Sequence, residues 1–143
     1  MQHLAGNTVG VEAAAEQARN TLEQLYRDQP DNAVFAGWLS QAYAMMGQRD
    51  LALRLAEHAM MLLPSTKDHS NGPSLEENQA FIQTMFGENS HAISTLTQLL
   101  QTPYFSPFSS IAPITPALLR LDPIWDPLRG DPAFQKLCQE KQP

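Results

Sequence analysis

The chain has a single cysteine, Cys138, which excludes an internal disulfide and any multi-cysteine metal site. It is also short of positive charge, with 9 Lys+Arg against 15 Asp+Glu, a formal net charge of −6 and no Lys/Arg cluster. Nucleic acids and anionic membranes are both held through a concentrated positive patch, so neither is an expected partner. No apolar run reaches the roughly 18 to 20 residues of a membrane span, so this segment is not expected to insert into a bilayer. The start, Met1-Gln2-His3-Leu4-Ala5-Gly6, lacks the basic and apolar regions of a secretion signal. There is no Gly-rich phosphate loop, no GxSxG and no dinucleotide fingerprint. Proline is scarce before residue 103, where only Pro30, Pro64 and Pro73 occur; the other eight of the 11 fall in the last 41 residues.

What is present is enough for one globular domain: 143 residues, 43% hydrophobic and 17% charged. The proline skew divides it into a helix-rich body to about residue 102 and a proline-punctuated tail. The body repeats. A shift of 34 takes Pro30 to Pro64, Ala18 to Ala52, Leu22 to Ala56 and Leu25 to Ala59; a shift of 40 takes Gly47 to Gly87, Ala52 to Ala92, Ala56 to Leu96 and Ala59 to Leu99. In the clearest unit Asp31-Asn32 supplies an N-cap, and Phe35, Trp38, Leu39, Ala42, Tyr43 and Met46 recur at helical spacing. Gly47 ends that helix, where positive φ is easiest. A second helix carries Leu51, Ala52, Leu55, Ala56, Ala59 and Leu62, and Pro64 stops it. The small residues Ala52, Ala56 and Ala59 sit where two helices must approach closely, so the unit reads as a helical hairpin.

These residues carry a resemblance. Leu39, Tyr43, Gly47, Ala52, Ala59 and Pro64 match signature positions of the tetratricopeptide repeat, a 34-residue helix–turn–helix unit whose copies stack into a superhelix, although Ala36 replaces the usual Trp and Ser40 the usual Gly. Residues 31–66 are the full repeat. Residues 73–103 resemble a diverged copy, in which Ala80, Gly87, Ala92 and Leu96 fit while Gln79 and Gln83 stand where Leu and Tyr are usual. Residues 11–30 resemble the second helix of an earlier repeat, with Ala14, Ala15, Ala18, Leu22 and Leu25 expected to face inward. The preceding Leu4–Gly10 stretch is too glycine-rich for a good helix, so the array is expected to begin mid-repeat. The tail, Leu118-Leu119-Arg120-Leu121-Asp122-Pro123-Ile124-Trp125-Asp126-Pro127-Leu128-Arg129 with Asp131-Pro132-Ala133-Phe134-Gln135, is similar to the closing segment of such arrays in large bacterial regulators. There the array follows a serine/threonine kinase, adenylate-cyclase-like or winged-helix domain, and it lies on either side of the inner membrane, so no compartment is assigned.

Asp122, Asp126 and Asp131 invite a metal reading, but each precedes a proline, and Asp-Pro is an N-cap followed by a residue pre-set for the first helical position. The alternating ligands, central Gly and closing Glu of a calcium loop are missing. Three successive short helix starts are therefore predicted, with Thr115-Pro116 as a fourth. Their apolar residues, with Trp125 as anchor, would cover the open end of the stack. The expected architecture is all-α: one domain over 1–143 of tetratricopeptide-type hairpins forming a short α-solenoid, closed by a capping tail over 104–143.

Catalytic groups are sparse. His3, His58, His69 and His91 form no HxxxH or HExxH pattern, and Asp68 beside His69 reads as a surface loop. No enzyme and no cofactor is expected. Binding a protein or peptide is the favoured class. The resemblance implies that first helices line the concave face, through Val34, Gly37, Trp38, Gln41, Ala44 and Met45 of one repeat and Ser74, Glu77, Asn78, Phe81, Thr84 and Met85 of the next. Relatives that clamp a peptide carboxylate use Lys, Arg and Asn there; the absence of Lys or Arg, with Glu77 present, disfavours that partner. Trp38, Met45, Phe81 and Met85 suit an apolar or helical segment. Two readings compete: Trp38 and Phe81 packed within the stack, and Tyr104-Phe105-Ser106-Pro107-Phe108 folding back over the groove. The runner-up functions are a homodimer through the N-terminal helix and a purely structural role.

Overall fold

The computed structural model describes residues 8–69, 71–102 and 114–139, and among them every regular element is a helix. The chain resolves into two compact units, Met1–Leu62 and Leu63–Pro143.

The first unit holds α1 (Thr8–Asp28), α2 (Ala33–Met45) and α3 (Arg49–Leu62), with α2 packed on both of its neighbours. Asn32 starts α2, its Oδ1 accepting from the backbone N–H of Val34 (3.1 Å) and Phe35 (3.3 Å). Gly47 ends the helix at φ 72°, with Gln48 N–H on the carbonyl of Tyr43 (2.9 Å) and Gly47 N–H on that of Ala44 (3.0 Å), the paired closure of a Schellman turn. The buried residues of α3 are three alanines, Ala52, Ala56 and Ala59, all without exposure. Small side chains at that spacing let two backbones approach closely, as the sequence predicts.

In α1 two expectations are corrected. The helix begins at Thr8 and includes Val9 and Gly10; one interior glycine costs about 1 kcal/mol, which the alanine-rich run behind it absorbs. The inward face is also turned by one residue. Ala14, Ala18 and Leu25 are exposed, while Ala15 is buried and Arg19, Leu22, Glu23 and Tyr26 are half-buried. The reason is polar: Glu23 accepts from the hydroxyl of Tyr43 on α2 and pairs with Arg19 (3.1 Å) and Arg27 (3.4 Å), and Tyr26 meets His58 of α3 edge-on at 6.2 Å.

The second unit holds α4 (Gly72–Met85), α5 (Asn89–Leu99), α6 (Pro116–Leu121), a 3₁₀ helix (Pro123–Leu128) and α7 (Pro132–Gln139). Gly87 (φ 77°) repeats the Gly47 turn 40 residues on, with Glu88 N–H on Gln83 and Gly87 N–H on Thr84. Before α4, Asp68 accepts from the backbone N–H of Asn71 (2.8 Å) and from its side-chain amide (3.0 Å). Gly72 lies against the Pro64-Ser65 turn so closely that a Cβ there would stand 2.5 Å from the Ser65 Cα. The tail's Ile114, Leu119, Trp125, Leu128, Phe134 and Leu137 share one core with Ala92, Ile93, Leu96 and Leu99 of α5, and Trp125 is only 2% exposed.

Three of the four predicted helix starts are capped as expected. Thr115 accepts from Leu118 N–H (3.1 Å), Asp122 from Ile124 N–H (3.0 Å) and Asp131 from Ala133 N–H (2.8 Å). Asp126 starts no helix: the 3₁₀ turn opened at Pro123 runs through Pro127, and the Asp126 carboxylate is taken by Arg129 Nε instead.

Candidate interaction surface

Helix α2 contains no charged residue, and its two ends are fixed by the Asn32 cap and the Gly47 turn. Those ends set Val34, Trp38, Gln41 and Met45 at intervals of four, three and four residues, hence on one side of the helix. Trp38 is 39% and Met45 57% exposed, with Val34 and Gln41 half-buried beside them. Phe35 lies tilted against Trp38 at 6.2 Å and backs the indole. The result is an uncharged surface in which an aromatic ring and a flexible thioether stand in water.

Helix α4 presents less than expected. Glu77 and Asn78, predicted on an open face, are each only 1% exposed and are held by interactions of their own. Burying a carboxylate and an amide is tolerable only where they are hydrogen-bonded. Phe81 is half-buried against the core of its unit, which is the packed alternative weighed for it, and Met85 (42% exposed) alone stands out from the four. Ser74 and Thr84 are buried too, each hydroxyl donating to a carbonyl of the preceding turn, Asn71 (2.6 Å) and Ala80 (2.8 Å). The candidate face is therefore concentrated on α2. The aromatic stretch Tyr104–Phe108 lies outside the described residues.

Other reactive groups stay apart. His58 meets Tyr26 edge-on; His91 is exposed, 3.5 Å from Glu88. His69 borders a surface hollow of about 210 Å³ with Ser65, Thr66, Pro73, Glu76 and Thr102, while Asp68 is spent on Asn71. Burial pushes the Cys138 thiol above its ordinary range, although Arg120 and Arg129 pull it down. Among the described residues no three His, Cys, Asp or Glu side chains gather as a metal ion would require, and no helix is long and apolar enough to cross a membrane.

Two features had no sequence signal. One is the contact of Tyr43 with the Arg19–Glu23 pair, since Tyr43 lies 20 residues beyond Glu23 and meets it only through helix packing; Tyr43 holds the Glu23 carboxyl below its ordinary range, Arg19 and Arg27 adding to it against desolvation. The other is a pair of arginines in the tail, Arg120 and Arg129, brought to one pocket by the turns between α6 and α7. Compared with protein-family models, with curated proteins and with solved structures, the chain gives no match in any of the three.

Proposed function

We propose that the chain is a protein-interaction module: a short tetratricopeptide-type α-solenoid with a capping tail, probing its partner with the uncharged face of α2. The observation that carries this reading is the pair of exposed residues Trp38 and Met45 on one side of a helix without charge. A large aromatic in water beside a thioether is the usual sign of a surface that is covered part of the time. The partner chemistry it fits is the apolar side of an amphipathic helix, whose anchors recur every three to four residues as these do. What supports the repeat assignment is the duplication of one turn, Gly47 and Gly87, with the same pair of closing hydrogen bonds. A role as the recognition or scaffolding end of a larger bacterial signalling protein follows from the resemblance alone.

The test uses Trp38 as its own reporter. Titration with a panel of amphipathic helical peptides is expected to shift the Trp38 emission to shorter wavelength, with Trp125 unaffected because it is already buried. Met45→Lys is expected to weaken that binding by about tenfold or more while leaving the melt unchanged, since the residue faces solvent. A panel that produces no Trp38 shift, or binding indifferent to Met45→Lys, rejects the α2 face.

A second reading has its own observation. On α1, Val11, Ala14, Ala18 and Leu25 are all exposed and lie near one side of the helix, an apolar stripe that a second copy of the chain would cover. Light scattering at two concentrations decides it, a strict monomer at both removing the dimer.

A further inference from the structure

The tail contributes a pocket that the α2 reading does not use. Arg120 in the last turn of α6, Arg129 just after the 3₁₀ helix, and Phe134, Gln135, Cys138 and Gln139 of α7 line an open hollow of about 240 Å³. Among the described residues its charged lining is entirely positive, in a chain whose formal net charge is −6. Neither arginine is a loose surface side chain. Arg120 donates through Nη1 to the carbonyl of Cys138, near the end of α7. Arg129 donates through Nη1 to the carbonyl of Arg120 and through Nη2 to that of Asp122 (3.2 Å), with Nε on Asp126. The carbonyl of Arg129 in turn accepts from the Gln135 amide at 3.0 Å.

This wiring has two consequences. Each guanidinium is oriented by backbone before any ligand arrives, so little side-chain freedom is left to lose on binding. Carbonyls orient a guanidinium without cancelling its charge; among the described residues Asp126, on Arg129, is the only carboxylate in the network and does not line the pocket. Of the five N–H donors of a guanidinium, Arg120 commits one, so most of its fork is uncommitted. Phe134 and Cys138 make the floor apolar and lower the local dielectric, and the amides of Gln135 and Gln139 add neutral donors.

We infer that this pocket binds a small oxyanion group, a carboxylate or a phosphate, gripped by the Arg120 fork with Arg129 beside it. The planar guanidinium matches both oxyanions in a two-point arrangement, which a lysine does not. The site is distinct from the α2 face, so an apolar partner segment and an acidic group would be read by different parts of the chain.

The experiment is an NMR titration of the full chain, following the arginine Nε–H signals and the amides of 129–139. Inorganic phosphate and acetate are added separately at constant ionic strength, with chloride as control. Saturable shifts centred on Arg120 and Arg129 are expected with at least one probe; which of the two saturates first tells phosphate from carboxylate as the natural group. Gln139→Glu places a competing carboxylate on the rim and leaves both arginines intact, and it is expected to weaken binding by about tenfold with an unchanged melt. Arg120→Gln is expected to abolish the shifts at Arg129 as well. Shifts that never saturate, that chloride reproduces, or that Gln139→Glu leaves as they were overturn the proposal.

Discussion

The helix pairs α2–α3 and α4–α5 turn on equivalent glycines, Gly47 and Gly87, yet they are finished in different materials. The α3 helix buries alanines only, and α2 leaves an indole and a thioether in water. The second pair is joined to Trp125, Leu128, Phe134 and Leu137 from the tail in one core, and its α4 helix buries Glu77 and Asn78. A shared turn thus fixes the geometry of a pair but not what covers it. In the first pair Trp38 and Met45 are among the exposed large apolar residues, while the second pair shares a buried core with Trp125, Leu128, Phe134 and Leu137.

Substitutions can break that contrast, and the largest effect is expected at the tail. Trp125→Ala removes the largest side chain of the second core and is expected to cost about 3–5 kcal/mol, seen as a large fall in melting temperature. Trp38→Ala should cost clearly less, since its indole is 39% exposed; equal losses at the two tryptophans would erase the distinction between them. Next comes Gly72→Ala. Its Cβ would meet the Ser65 backbone, which cannot swing aside as a side chain does, and about 1–3 kcal/mol is expected in a denaturant titration. Ala56→Leu should cost the first unit a similar amount, about 1–3 kcal/mol, by wedging the close helix approach. An Ala56→Leu protein as stable as the parent would mean that the alanine seam has room to spare.

Smaller effects sharpen the comparison. Asn32→Ala and Thr115→Ala each remove one cap and are expected to cost about 1 kcal/mol, one in each unit, by the same mechanism. Tyr43→Phe deletes the hydroxyl that Glu23 accepts from and is expected to cost about 1 kcal/mol at neutral pH. The loss should depend on pH. The Glu23 carboxyl titrates lower in the folded state than in the unfolded chain, first because of Tyr43 and then because of Arg19 and Arg27. Its stabilisation is therefore complete above the ordinary carboxylate pKa of about 4.3, and it fades as pH falls through the lower folded value. Unfolding measured between about pH 6 and 2 should show Tyr43→Phe losing less on acidification than the parent, and parallel curves would remove the linkage.

The features legible in the sequence are those whose physics is local. Asn32, Thr115, Asp122 and Asp131 act on an N–H two or three residues away, and the Gly47 and Gly87 turns close within six residues, so residue type and spacing were sufficient. Trp125 was legible because a large apolar side chain among short capped helices has few places to go but inward. Asp126 shows the limit: the same Asp-Pro pair lies inside a turn already opened three residues earlier, and an arginine takes its carboxylate. The inward face of α1 is not legible, because an alanine stripe outranks Arg19, Glu23 and Tyr26 on any apolar scale, while the partners that reverse the choice, Tyr43 and His58, are on other helices. The family resemblance places Glu77 and Asn78 on an open face, and nothing within a few residues of a carboxylate announces that it is buried instead.

The lone thiol has a practical consequence. Cys138 is buried in α7, against the core that holds Trp125, and its proton is harder to remove than that of a free thiol. A thiol-specific reagent therefore reacts slowly through the open hollow that Cys138 lines, and faster during the moments when α7 lifts away. With no second cysteine to confuse the signal, the labelling rate is a clock for how often that end of the molecule opens. An occupant of the neighbouring arginine pocket should slow the clock, while one on α2 should leave it running at its own pace.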